Sequence, residues 1–458
     1  MSSASSQFDT IIIGAGLSGL AAGIRLAHYG QKVCICERHS RIGGLNSWYS
    51  RKGMLLETGL HAMTNLARRD DPKSLPLLKM LRQLRIPLDA LQIREQNYSL
   101  IRFPEKTLKF DNHFQNFEAS LADTFPHEID NFQRLDRFIA EFNEVNLNHR
   151  FISARRQIGR FITDPLLTEM LLCPLFYYGS AVEDDMDFAQ FAIMYKSIFR
   201  QGFFRPGGGI KALLDLMEKR FIESGGELKL NCKVDEILVF NGVASGVRCA
   251  NGDELHSHQI LSSAGLPETQ RLSRQKTIAA PGNLAFFETL AVFDKLDGHD
   301  ETIIFFCNDE KLAYRRPETP VSLNSGVICL PHNFQFESGD FVPAPMLRTT
   351  VLSDYRTWHD VDYAATKSRA LHDVLKMTGG MTGVDMNNAV FTDAFTPKTI
   401  ERYTGRLNGA IYGSAEKQRN GLTEIEGLYI CGTDQGFLGI TGAALSGISI
   451  ANLHLLLT

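Results

Sequence analysis

The chain has no apolar stretch of the roughly 18–20 residues needed to span a bilayer. Its greasiest run, residues 171–178, is short and carries Pro174. Residues 1–7 are small and polar, without the basic and apolar regions of a secretion signal. The eight cysteines (Cys34, Cys36, Cys173, Cys232, Cys249, Cys307, Cys329 and Cys431) form no Cys-x-x-Cys pair, and the thirteen histidines show no zinc spacing. Those absences exclude a zinc ribbon or a disulfide scaffold, so no metal site is expected and a reducing, cytoplasmic setting is. Cys34 and Cys36 point the same way along a strand and read as packing. His256-x-His258 reads as a solvated polar strand. Excess charge is missing too. With 48 basic and 52 acidic side chains the net charge is −4, which gives no footing for nucleic acid.

What is present is an ordinary globular composition, 44% hydrophobic and 22% charged, in a chain of 458 residues, too long for one core. The most informative stretch comes first. An apolar run, Ile11-Ile12-Ile13, leads into Gly14-Ala15-Gly16-Leu17-Ser18-Gly19, then a small-residue helical pattern, then an apolar run ending in Glu37. Strand, turn, helix, strand and acid make the layout of a dinucleotide site. Gly14 allows the tight turn, Gly16 lets backbone approach a pyrophosphate, and Gly19 lets helix and strand pack closely. The helix N-terminus offers N–H groups to an anion, and Glu37 can accept from a ribose hydroxyl. On this stretch alone, NAD and FAD fit equally.

The remainder alternates between two textures. Gly43-Gly44-Leu45 can bring a second piece of backbone to the same cofactor, and a strand over residues 53–57 breaks at Gly59. Residues 70–202 are mainly helical, with periodic patterns over 74–84 and 128–145 and a strand-like interlude over 98–110. Residues 150–162 interleave basic and apolar side chains, as a solvated helix face or a membrane-surface segment does. Residues 166–179 read as a buried helix or pocket wall, and the acids at 183–187 as a solvated loop. Glycine-rich texture returns at Arg205-Pro206-Gly207-Gly208-Gly209, before a helix over 211–224 and three strands that include an Asn251-Gly252 hairpin. It returns again at Ser262-Ser263-Ala264-Gly265, and at 427–444 ahead of a last helix over 442–456. Residues 283–377 read as strands followed by a helix.

Three separated cofactor-like stretches imply one domain assembled from distant segments, with another inserted between them. The expected fold is α/β: a Rossmann-like FAD-binding domain from residues 1–72, 204–280 and 395–458, with an inserted α+β substrate domain from 73–203 and 281–394. A nicotinamide enzyme releases its cofactor and needs one such cradle, whereas FAD stays bound and its flavin end requires further backbone contacts.

These motifs, with Glu57-Thr58-Gly59-Leu60-His61, Thr396-Pro397, Tyr403-Thr404-Gly405 and Gly409-Ala410-Ile411-Tyr412-Gly413, resemble the FAD-dependent oxidoreductases related to phytoene desaturase, carotenoid isomerase, retinol saturase and hydroxysqualene dehydroxylase. That group lies within the wider amine-oxidase-like flavoproteins, and the likeness covers nearly the whole chain. The resemblance implies that Glu37 binds the adenosine ribose, that Gly14, Ala15, Gly16 and Gly19 bind the pyrophosphate, and that Arg38, Gly44 and Leu45 line the ADP and ribityl path. It further implies Val234 at the adenine, Ala264 and Gly265 near the ribose, Gly432 and Asp434 toward the ribityl or pyrophosphate, and Gly439, Ile440 and Thr441 at the isoalloxazine edge. Relatives usually carry Asp where Glu57 stands. His61 and Glu57 are the catalytic candidates that follow.

The activity implied is hydride exchange between FAD and a long apolar isoprenoid or polyene: desaturation, isomerisation, saturation or dehydroxylation. A hydrocarbon without a polar handle must be held by apolar walls. Such a substrate lives in membranes, so peripheral contact through residues 150–179 on the inner face of a membrane is expected. Two other readings share the architecture: an FAD-dependent amine oxidase, and a non-enzymatic prenyl-binding protein resembling the GDP-dissociation inhibitors, which have lost the flavin cradle.

Overall fold

The structure, a computed structural model, describes residues 8–59, 61–144 and 150–456. The polar N-terminal stretch 1–7, Leu60 of the Glu57–His61 motif and the far end of the helix expected over 128–145 lie outside the described residues.

Five parallel strands form the first sheet, in the order Leu428–Ile430, Ile260–Ser262, Thr10–Ile13, Val33–Cys36, Glu227–Lys229. The three inner strands are buried at every residue, as a sheet covered on both faces requires. Alternation along the strands then sorts their side chains. Ile12, Val33 and Ile35 face a helical layer of Leu17–His28, Gly209–Glu223 and Gly439–Ile450. Ile11, Ile13, Cys34 and Cys36 face the antiparallel meander Val234–Phe240, Val243–Cys249, Glu254–His256. Helices Leu17–His28 and Gly439–Ile450 pack backbone to backbone: a Cβ on Gly447 would stand 1.9 Å from the carbonyl oxygen of Ser18.

A second, seven-stranded sheet runs Phe391–Phe395, Ala285–Val292, Met346–Ser353, Ser325–Cys329, Ile303–Cys307, Ser99–Arg102, Thr107–Phe110. Its pairs are antiparallel except Ser99–Arg102 with Ile303–Cys307. One face carries the helices Phe114–Thr124, Ile129–Glu141, Pro165–Gly179 and Phe188–Tyr195 over a Phe-rich core. The long helix Tyr363–Thr382 supports the other.

Packing refines two expectations. Packing does not change at residue 72. Helix Pro76–Leu84 buries Leu77, Met80, Leu81 and Leu84 in the same core as the last helix, so it belongs to the cofactor side. Residues 150–179, the expected membrane contact, divide into a partly exposed basic segment and a buried helix. Only the short helix Ala154–Ile158 forms in their first half, where Arg155 is bound to Glu169 and to the Asp184 carbonyl. Their second half is the buried helix Pro165–Gly179, whose N-terminus is capped by Asp164. Among the described residues no helix is long and apolar enough to cross a membrane.

Candidate functional site

The fold converges on a cavity of about 1490 Å³ between the two sheets, well above the roughly 300–1,000 Å³ of ordinary small-molecule pockets. One end is the glycine cradle. Gly14 has a φ of 95°, and its N–H donates to the Cys36 carbonyl at 2.8 Å. A Cβ on Gly19 would lie 2.1 Å from the Gly14 oxygen, so only glycine permits this helix-to-turn approach. A Cβ on Gly16 would meet nothing within 4 Å, which leaves that backbone open to the cavity. The Gly43 N–H donates to the Ala15 carbonyl at 2.9 Å, and Gly44 stacks beside Gly16, bringing the second glycine pair to the first.

Glu37 directly follows the strand Val33–Cys36, and two backbone donors fix its carboxylate: the Ala15 N–H at 2.8 Å on Oε2 and the His39 N–H at 2.8 Å on Oε1. Gly14, Gly16, Glu37, Arg38, Gly44 and Leu45 all line the cavity. So do Val234, Ala264, Gly432, Gly439 and Ile440, from the later segments. The last two open the helix Gly439–Ile450, which turns the positive end of its dipole toward the cavity. An elongated cradle with open backbone, a fixed acid and a helix N-terminus fits a flavin dinucleotide.

Five expected contacts lie behind this lining instead. Ala15 and Gly19 build the turn. Gly265, at φ 119°, gives room to Glu268, Arg406 and Asp434. Asp434 is fully buried, with the Leu266 N–H 2.6 Å from Oδ2 and the Ser414 N–H 2.8 Å from Oδ1. Arg406 pairs with it at 3.4 Å and itself lines the cavity, so Asp434 braces the wall through that arginine. Thr441 is buried in the last helix, and its hydroxyl has no partner among the described residues.

The opposite end is aromatic and apolar. Tyr177, Tyr178, Phe286, Val327, Ile411 and Tyr412 line it. The Phe286 ring stacks on Tyr177, with centroids 5.7 Å apart, and meets Tyr412 edge-on at 5.9 Å. Between the two ends stands His61. Its Nε2 lies 3.1 Å from Glu288 Oε2 and 3.2 Å from Thr350 Oγ1, while its buried Nδ1 has no partner among the described residues. Burial pushes the imidazole below its usual pKa. Burial would raise the Glu288 carboxyl, but the Arg348 guanidinium and His61 outweigh it and hold it down at about 2. An ionised Glu288 accepts from His61 Nε2–H, which leaves Nδ1 with its lone pair.

Glu57, the other catalytic candidate, is placed differently. Its Oε2 accepts from Arg205 at 2.5 Å and its Oε1 accepts from the Ile210 N–H at 2.7 Å, so it caps the helix Gly209–Glu223 and does not line the cavity. Glu288 and Arg348 were missed in the sequence. The available signal was one acid and one base in otherwise uncharged strand runs, Ala285–Val292 and Met346–Ser353.

The family model described as flavin containing amine oxidoreductase matches residues 17–453. Among curated relatives, the chain is 23% identical to the chloroplastic prolycopene isomerase of Daucus carota, over 98% of this chain and 80% of that one. It is 22% identical to a 4,4'-diaponeurosporene oxygenase of Staphylococcus aureus, over 90% of this chain and 89% of that one. An oxidoreductase from Methanosarcina mazei has the same fold, with a TM-score of 0.62 at 19% identity, covering 97% of this chain and 99% of the other.

Proposed function

The chain belongs to the flavin-containing amine oxidoreductases, with FAD as cofactor, and from that premise we propose that it oxidises, reduces or isomerises a long apolar isoprenoid or polyene. The observation that carries the reading is the continuity of the glycine cradle with the chamber of Tyr177, Tyr178, Phe286, Val327, Ile411 and Tyr412. Prolycopene and diaponeurosporene, after which the two relatives are named, belong to this chemical class.

Gly14 and Gly16 would carry the pyrophosphate, Glu37 a ribose, and Arg38, Gly44 and Leu45 the path between them. Gly439 and Ile440 would lie against the flavin ring. Bound FAD supplies a hydride acceptor and donor. The chain's own part is to hold an unsaturated hydrocarbon against that ring, exclude water, and manage a proton. His61 suits the handling of that proton, because Glu288 fixes the N–H at Nε2, Arg348 keeps Glu288 ionised, and Nδ1 stays free to accept. Peripheral contact with a membrane through Arg150, Phe151, Arg156 and Arg160, all exposed, would give access to a lipid-borne substrate.

An amine substrate is the second reading, favoured by the clustered rings of Tyr177, Phe286 and Tyr412, a surround that suits a cation. Against it, the nearby carboxylate of Glu288 is already neutralised by Arg348. The test is anaerobic incubation of FAD-loaded protein with liposomes carrying phytoene, lycopene, prolycopene, squalene or hydroxysqualene, or with free putrescine or benzylamine. Flavin bleaching or product formation with a polyene or isoprenoid, and none with amines, is the expected result. Bleaching by an amine alone would move the assignment to the second reading.

A further inference from the structure

Beside the cofactor end of the cavity, whose lining includes Cys36, three thiols arrive from separate elements. Cys36 ends the strand Val33–Cys36, Cys232 precedes the strand Val234–Phe240, and Cys249 ends Val243–Cys249. Their sulfurs all lie within 4.8 Å of one another, with Cys232 Sγ 3.1 Å from Cys249 Sγ. Thiolates bound to one cation at about 2.3 Å stand about 3.8–4.0 Å apart. The sulfur spacings here, from 3.1 Å to no more than 4.8 Å, bracket that value. Cys36 and Cys249 are 2% and 3% exposed and Cys232 is half-buried, so the group has one opening to solvent. Among the described residues no histidine, aspartate or glutamate ligand atom joins it. Cys34, 4.0 Å from Cys36, stays outside.

We infer that Cys36, Cys232 and Cys249 form a binding site for a soft d10 cation. Three sulfurs with no nitrogen or oxygen select for thiophilic ions. Copper(I) is satisfied by a trigonal set, and zinc(II) would take a water as its fourth ligand. Binding releases the thiol protons to solvent and changes no oxidation state. Such a site would give Cys36 a role beyond the strand packing expected of it. The missing signal was tertiary: three cysteines distant in sequence meet where the sheet carries its meander.

The site adjoins the cofactor end of the fold. Cys36 immediately precedes Glu37, and the Cys232 N–H donates to the Glu37 carbonyl at 2.8 Å. A cation would tie the strand end that carries Glu37 to the meander and slow loss of FAD. The test titrates reduced, FAD-loaded protein with copper(I), zinc(II) and cadmium(II) in separate anaerobic runs against a chromophoric chelator, without any organic substrate. One equivalent of at least one ion is expected, with thiolate-to-cadmium charge-transfer absorbance, and slower flavin loss on dialysis. Cys232→Ser and Cys249→Ser should weaken uptake by more than about tenfold, while Cys34→Ala retains it. Thermal melts verify folding, and Cys232, being half-buried, is the position where serine is best tolerated. No uptake by the reduced wild type, or unchanged uptake in Cys232→Ser, would overturn the proposal. Because no polyene or amine is present, failure here leaves the proposed reaction untouched.

Discussion

Glu288 and Arg348 form a buried ion pair across the antiparallel strands Ala285–Val292 and Met346–Ser353, with Arg348 Nε 3.2 Å from Glu288 Oε1. Arg348 is 1% exposed and also reaches the Thr58 carbonyl at 3.3 Å, so the pair links the second sheet to the loop that carries His61. Removing one partner of such a pair strands the other charge, at a cost of about 3–5 kcal/mol. Glu288→Gln should therefore lower unfolding stability by that order in denaturant titrations. The double variant Glu288→Gln, Arg348→Met should recover most of the loss. A single variant as stable as the wild type would show that the pair contributes nothing to folding.

Acid should destabilise the protein in two stages. His61, held below its ordinary 6.5 by burial, binds fewer protons folded than unfolded, so stability present above pH 6.5 declines as pH falls beneath it. His332, half-buried and pushed down to about 4, shares that first window. Glu288, lowered from 4.5 to about 2, loses its contribution as pH falls from 4.5 through 2. Urea midpoints should hold level from pH 8 to about 6.5 and fall from there to pH 3. His61→Gln should flatten the slope just below pH 6.5 without abolishing it, and an unchanged slope would contradict the placement of His61.

Two neighbouring glycines should behave differently when changed to alanine. Gly19→Ala puts a Cβ 2.1 Å from a backbone oxygen and should lower the melting temperature of the FAD-free protein. Gly16→Ala meets nothing within 4 Å in the protein and should leave that temperature unaltered. Its methyl group would enter the cavity where we propose the pyrophosphate lies, so FAD affinity should drop about tenfold or more. Flavin absorbance after gel filtration, beside melting curves, separates the two effects.

Membrane contact through Arg150, Phe151, Arg156 and Arg160 should depend on phospholipid charge. Basic side chains near an anionic surface contribute about 1 kcal/mol each. The variant Arg156→Glu, Arg160→Glu should lose about tenfold or more in co-sedimentation with phosphatidylglycerol vesicles, and Phe151→Asp should lose binding to the same vesicles. Equal sedimentation of all forms would rule out this segment as the membrane contact.

The parts of this fold written in contiguous sequence were legible from the residues alone. Gly14, Gly16, Gly19 and Glu37 declare their strand, turn and helix because the spacing of the glycines is itself the geometry. The later returns at Ala264, Gly432 and Gly439 were legible for the same reason. Residues whose role depends on a partner from elsewhere were not. Glu57 looks available in the sequence and is consumed by Arg205 and the Ile210 N–H. Glu288 and Arg348 were read only as strand positions, because the register that pairs their strands is set by long-range packing. Arg155 illustrates the same point: its local pattern suggested a free basic face, and Glu169 claims it. The trio of cysteines needs three chain segments in place before it exists at all.

The five-stranded parallel sheet carries a consequence for how the chain is made. Strand Ile260–Ser262 pairs on one side with Thr10–Ile13 and on the other with Leu428–Ile430. A ribosome delivers that last strand long after the others, with most of the second sheet emerging in between. Until it arrives, Ile260–Ser262 is an open edge of apolar backbone, the kind of edge that recruits foreign strands. Slow closure of such a distant pairing leaves the nascent chain open to aggregation, so added chaperone or a lower growth temperature should raise the yield of folded protein.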